Sequence, residues 1–351
     1  MTSLFNPIIL GNITLPHRLA MAPMTRSRAK PDGTPGDLAA EYYAQRASLG
    51  LIITEGTQPS DDGQGYLATP GIYTDAHVEG WRKVTSAVHR AGGRMFIQLM
   101  HAGRMSHPDN TPHHRQPLAP SAIAPGVKMF TPTGMQDAPL PRALSAAEIS
   151  SAVDEFRHAA KRAIDAGADG VEIHGANGYL IHQFFAPNAN QRTDAYGGSV
   201  KNRARFAIEV AAAVAREIGP ERTGFRISPS APIGGLAEGD KAGDLYRYLV
   251  TELDQLGLAY LHLLHTGDEA LARDIRARWS SRLLLLRPER ALASLPKDLI
   301  SGLADIVPVG RWALANPDFI DRYRSGAQLN AADPATFFAG GAKGYTDYPR
   351  L

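Results

Sequence analysis

Three residues in one short stretch, His174, Asn177 and Tyr179, carry groups suited to activating an oxygen and moving a proton. A histidine and an asparagine three positions apart can both donate a hydrogen bond to one carbonyl-type oxygen and stabilise negative charge that develops there. A tyrosine phenol, with an ordinary pKa of about 10, is protonated at neutral pH and can serve as an acid. The plainer readings are a histidine packed under a rim and an aromatic ring packed beneath a loop. Gln98 and Arg226 are polar residues on otherwise apolar runs. Buried polar groups need partners. Arg226 therefore serves either an electron-rich bound group or an ion pair inside the core, with Glu172 as the candidate partner. Glu172 and Glu55 read as structural carboxylates. His101, His107, His113 and His114 lack fixed ligand spacing on a rigid element, so no metal site is expected there.

These residues need elements to hold them. Eight apolar runs read as strands: 18–24, 51–55, 94–100, 170–174, 223–228, 260–264, 282–286 and 304–309. Their near-continuous apolar character marks a parallel sheet buried on both faces. Longer amphipathic segments separate them. In the clearest, Ser145 and Glu148 form a capping box, then Ile149, Ala152, Val153, Phe156, Ala160, Ala163 and Ile164 share one face, and Gly167 ends the helix. A second helix is predicted over about 200–218, stopped by Gly219-Pro220. Eight strand–helix units predict an α/β fold, a single (β/α)8 TIM barrel in one domain over residues 1–351. The pattern from Ile8 to Leu15 around Gly11-Asn12 predicts a β-hairpin capping the barrel bottom. The stretch from Gly103 to Arg142, rich in Pro, His and Gly, is too long for a simple connection after the third strand and predicts a functional loop over the active-site face. In such a barrel the active site is built just past the strand C-termini, where these polar residues cluster.

Composition narrows the function classes. The 351 residues carry a net charge of +2 with 44% hydrophobic residues, and basic residues are scattered, so neither nucleic acid nor an anionic membrane is an expected partner. No cysteine is present, which excludes disulfides, zinc–thiolate sites and cysteine nucleophiles and fits a cytoplasmic protein. Residues 1–7 show no basic region followed by an apolar run, so no signal peptide is expected.

Six motifs in order, Ala22-Pro-Met-Thr-Arg26, Gln98-Leu-Met-His-Ala-Gly-Arg104, Val171-Glu-Ile-His-Gly-Ala-Asn-Gly-Tyr-Leu180, Asn190-Gln-Arg-Thr-Asp-Ala-Tyr-Gly-Gly198, Phe225-Arg-Ile-Ser-Pro229 and Gly344-Tyr-Thr-Asp-Tyr-Pro349, cover nearly the whole chain. In these the sequence resembles the Old Yellow Enzyme flavoproteins, nearest to the bacterial reductases of maleimides, nitrate esters and cyclic enones. The resemblance implies an FMN-dependent ene-reductase that takes reducing equivalents from NADPH or NADH and reduces the C=C bond of α,β-unsaturated carbonyl or nitro compounds. It assigns His174 and Asn177 to the activating oxygen and Tyr179 to protonation of the α-carbon. It assigns Pro23, Met24, Thr25, Gly56, Gln98, Arg226, Gly310 and Arg311 to the cofactor, and Tyr66, Met100 and Tyr345 to the substrate cavity. A monomer and a homodimer both remain open.

Three departures from the family stand out. Met100 replaces the tryptophan common in near relatives, which implies a more adaptable pocket. After the seventh strand, Leu285-Leu286-Arg287-Pro288-Glu289-Arg290 lacks the usual Gly-Gly turn whose helix N–H groups hold the FMN phosphate, so Arg287 is the candidate replacement. Trp312-Ala313 follows Gly310-Arg311 where Pro and Phe are usual. The changes at one end of the cofactor leave two alternatives: a deazaflavin reductase on the same fold, and a non-catalytic flavin- or ligand-binding barrel.

Overall fold

The computed structural model describes residues 3–351; Met1 and Thr2 lie outside the described residues. Eight parallel strands make one sheet: β1 (Leu19–Met21), β2 (Leu51–Ile53), β3 (Met95–Leu99), β4 (Gly170–Gly175), β5 (Thr223–Ile227), β6 (Tyr260–Leu264), β7 (Arg282–Leu286) and β8 (Val307–Val309). Each pairs with the next in sequence up to β7, and β8 lies beside β1. A parallel bridge between Leu284 and Ile306 closes the ring into a barrel.

The period-2 alternation of a strand divides each run between two cores. Met21, Ile97, Ile173, Phe225, Leu263 and Val309 face outward under the helices. Ala20, Phe96, Tyr260 and Leu284 face the barrel axis. Large rings fit there because small residues stand opposite. A Cβ on Gly170 would come within 2.5 Å of the Phe96 ring, and one on Gly224 within 2.2 Å of the Tyr260 ring. The hairpin Ile8–Leu10/Ile13–Leu15 plugs this end, with Ile8, Leu10 and Leu15 joining the same inner cluster.

The helix Ala146–Asp165 carries the expected capping box, and Gly167 follows at φ +89°. Its buried face includes Ala159, while Val153 and Ile164 are only half-buried. The helix Val200–Ile218 ends at Gly219. Two strands are shorter than the apolar runs imply. β1 stops at Met21 because Pro23, lacking an N–H, cannot extend the ladder. β8 starts at Val307 because Asp305 turns its carboxylate onto Leu283 N (2.9 Å) and Arg276 (2.8 Å) instead.

The long stretch after β3 contains an antiparallel hairpin, Lys128–Thr131 with Gly134–Asp137, and a two-residue strand Leu118–Ala119 paired with Arg142–Ala143. Arg104, 1% exposed, ties it to the loop after β5, donating to the carbonyls of Ile123 (3.3 Å), Gly234 (3.1 Å) and Gly235 (3.2 Å). Among the described residues no helix is long and apolar enough to cross a membrane.

Candidate active site

Above the apolar plug, the inward positions turn polar. The register sets Glu172 beside Gln98, His174 beside Arg226, and Arg226 beside His262. Glu172, fully buried, accepts from Gln98 Nε2 (2.7 Å) and from His262 Nδ1 (2.8 Å). Burial alone would raise this carboxyl, but His262, Arg226 and Gln98 together hold it below its usual range. Burial likewise keeps the His262 imidazole neutral, so Nδ1 carries the proton given to Glu172. The ion pair weighed for Arg226 is therefore not a bonded one: both Glu172 oxygens go to other groups. Two buried nitrogens, Arg226 Nε and His262 Nε2, have no hydrogen-bond partner among the described residues. The first is a donor and the second, with the ring proton on Nδ1, an acceptor; leaving either buried and unpaired is costly, which fits a bound group there.

His174 sits near the end of β4 and is 3% exposed. Its Nδ1 accepts Ala176 N at 3.2 Å, which fixes the ring proton on Nε2 and leaves that N–H to donate. Burial, with the Arg226 guanidinium, His262 and His182 nearby, pushes its pKa well below the ordinary value, so the ring is neutral. The Tyr179 ring stands edge-on to it, centroids 4.9 Å apart at 88°. Tyr179 OH lies 3.3 Å from Tyr66 OH. Burial raises both phenols, so both stay protonated. Asn177, between His174 and Tyr179 in the sequence, is in the left-handed region at φ +55°, its N–H given to Ser228 Oγ (2.8 Å) and its buried Oδ1 unpartnered. His174, Asn177, Tyr179, Tyr66, Gln98 and Arg226 thus form one neighbourhood.

Pro23 and Met24 line a cleft of about 390 Å³ with Leu286–Arg290 and Pro308–Trp312, joining the ends of β1, β7 and β8. Thr25 follows them, half-buried. Glu55 braces that segment by accepting Arg26 N (2.9 Å) and Ser27 N (3.3 Å), and burial lifts its pKa to about 7. Gly56 packs against Met100: a Cβ there would stand 2.5 Å from its sulfur. Tyr345 lies elsewhere, stacked on Tyr42 (4.1 Å) with the Arg26 and Arg28 guanidinium groups over its ring. At 1% exposure it braces the β1 segment from behind rather than joining His174 and Tyr179.

Arg287 does not stand free as a replacement for the Gly-Gly turn. It is held by Glu269 (2.6 Å) and Asp298 (3.0 Å), and Arg290 also pairs with Asp298. Arg311 is 66% exposed and only 3.7 Å from Glu289, which leaves it the least committed guanidinium at the cleft, beside Gly310.

His262, Ser228, His182 and Glu238 escaped sequence reasoning. His262 carried the same signal as Gln98 and Arg226, a polar residue between Leu261 and Leu263 on an apolar strand. The others reach their partners across loops, and nothing local in the sequence announces them.

A family model described as NADH:flavin oxidoreductase / NADH oxidase matches residues 3–330. A probable flavin mononucleotide-dependent alkene reductase of Leishmania infantum is 42% identical over 99% of this chain and 97% of its own. 12-Oxophytodienoate reductase 2 of Arabidopsis thaliana is 40% identical over 99% and 96%. Among solved structures, morphinone reductase in complex with tetrahydroNAD superimposes with a TM-score of 0.96 at 46% identity, covering 100% of this chain and 98% of that one. The old yellow enzyme homologue of Zymomonas mobilis gives 0.95 at 39% identity, covering 99% and 100%.

Proposed function

The chain belongs to the NADH:flavin oxidoreductase / NADH oxidase family, and from that premise we propose that it is an FMN-dependent ene-reductase acting on activated alkenes, α,β-unsaturated carbonyl or nitro compounds. The observation that carries this reading is the neutral His174 with its Nε2–H free, edge-on to a protonated Tyr179. Such a pair can polarise an oxygen and protonate a carbon in one pocket.

The residues present fit a flavin. Arg226 offers a buried positive charge with an unpartnered Nε, suited to an electron-rich ring edge. Gln98, on β3 with β4 between it and Arg226, has its amide nitrogen engaged by Glu172. Pro23, Met24 and Thr25 would flank the ring system, with Gly310 and Arg311 at the phosphate end, in the cleft past β7 and β8 where barrels of this kind often bind phosphate. When bound, FMN supplies the hydride, taken from NADPH or NADH. His174 and Asn177 hold the activating oxygen and stabilise the charge it gains. Tyr179 gives its proton to the α-carbon, its ring kept upright by His174 and Tyr66. Met100, buried on Gly56, and Tyr66 wall the substrate space.

The relatives favour neither a deazaflavin reductase nor a non-catalytic barrel. The same proposal takes the chain as one catalytic domain, a monomer or homodimer in the cytoplasm. Tyr179→Phe tests it. Flavin reduction by NADPH should stay near wild type, while reoxidation by 2-cyclohexenone should slow about 10²–10⁴-fold, the usual contribution of a placed acid. Slowed reduction with unchanged enone turnover would mean that the hydroxyl serves nicotinamide binding instead.

A further inference from the structure

The turn bearing Asn177 and Tyr179 has two consecutive residues at positive φ, Asn177 (+55°) and Gly178 (+83°). A non-glycine residue there persists only when its surroundings hold it. Two hydrogen bonds do so: Asn177 N to Ser228 Oγ (2.8 Å) and Gly178 N to His182 Nδ1 (3.0 Å). Because Nδ1 accepts, the His182 proton sits on Nε2, and that N–H donates to Glu238 Oε1. Glu238 is 6% exposed and belongs to the loop after β5. It also accepts Tyr246 OH (2.5 Å) and Ser230 N (2.9 Å). The same loop presses on the turn, since a Cβ on Gly178 would stand 2.6 Å from the Ile233 carbonyl oxygen. Glu238 and His182 thus relay the seating of one loop to the backbone N–H of Gly178, the residue that immediately precedes Tyr179.

We propose that His182 and Glu238 are positioning residues for alkene reduction: the carboxylate orients the imidazole, and the imidazole fixes the turn from which Tyr179 and Asn177 reach the substrate. Both His182 ring nitrogens are taken, by Gly178 N and by Glu238, and the Glu238 oxygens are shared among His182, Tyr246 and Ser230, so the pair acts through Gly178 N. The inference rests on the reading of Tyr179 as proton donor, and the two can fail separately.

The test is a double-variant cycle on the FMN-loaded enzyme, read in the two half-reactions. Glu238→Ala should slow reoxidation by 2-cyclohexenone on the order of 10- to 100-fold, as loss of an outer orienting partner does elsewhere, with FMN affinity near wild type. Glu238→Gln keeps an oxygen for the His182 N–H and should recover most of the rate. Glu238→Ala should cost less in the Tyr179→Phe background than in wild type, because the part of its effect that runs through the Tyr179 hydroxyl is already gone. Additive losses, or a wild-type enone rate in Glu238→Ala, would overturn the proposal. If Glu238→Ala does not fold, His182→Gln, which can still accept Gly178 N and donate to Glu238, must retain most of the enone rate while His182→Leu loses it; equal rates in the two would overturn it as well. A wild-type enone rate in Tyr179→Phe faults the donor assignment, and the positioning role then stands or falls on Glu238→Ala against Glu238→Gln.

Discussion

Lowering the pH should weaken this barrel through His101, and the size of the effect follows from the structure. The ring is 2% exposed, and its Nδ1 accepts Gly103 N at 3.0 Å, while its carbonyl accepts Leu180 N just past Tyr179. Burial lowers its pKa from 6.5 to about 4, so the folded protein keeps the ring neutral in mild acid. The unfolded chain has no such constraint and binds a proton below its own pKa near 6.5. The unfolded state therefore holds more protons between these values, and stability falls as pH falls through that window. From about pH 7 to about pH 5 the two values give a loss of roughly 2 kcal/mol from this residue alone. His101→Asn keeps an acceptor for Gly103 N but cannot titrate. It should lower stability at neutral pH by leaving a small void, about 1–2 kcal/mol, yet show a flatter pH dependence. Urea unfolding of both proteins at fixed excess FMN, at about pH 7 and about pH 5, measures the difference. Wild type should lose about 2 kcal/mol more than the variant between the two conditions. Parallel losses would refute the reasoning, by showing that His101 titrates alike in both states.

Other consequences concern the site itself. His174→Ala should slow enone-driven reoxidation by roughly 10²-fold, about 3 kcal/mol for one lost oxyanion donor; unchanged stopped-flow traces would remove His174 from that role. Arg311→Ala should weaken FMN binding on the order of 10-fold, and less at high salt, because it is the one cleft arginine not closely paired with an acid; fluorescence titration at an unchanged dissociation constant would place the phosphate elsewhere. Gly56→Ala should cost about 1–3 kcal/mol by overpacking against Met100, and Met100→Ala in the same chain should remove most of that cost; purely additive stabilities would show that the two do not compete for one space.

Much of this was legible in the sequence because it is local. Short, mostly apolar runs located β6 and β7 to the residue, and the Ser145/Glu148 box located the start of its helix. His174, Asn177 and Tyr179 were legible because six consecutive residues carry all three. What sequence could not supply was geometry that depends on distant partners. Glu172 read as structural, but its sharing between Gln98 and His262 follows from strand register. Arg287 looked free until Glu269 and Asp298, both remote in sequence, proved to hold it. Tyr345 lay in a motif matched to the family, yet its ring is taken by Tyr42 and two arginines. The bond between His182 and Glu238 spans 56 positions and two elements, with no periodicity to betray it.

The central claim is tested most directly by an anaerobic titration of the purified protein, after release and identification of a portion of its bound cofactor. The account predicts FMN, bleached by one equivalent of NADPH or NADH and restored by one equivalent of 2-cyclohexenone with cyclohexanone as the product. A bound chromophore other than FMN, or an FMN that the nicotinamide bleaches and the enone fails to restore, would contradict it.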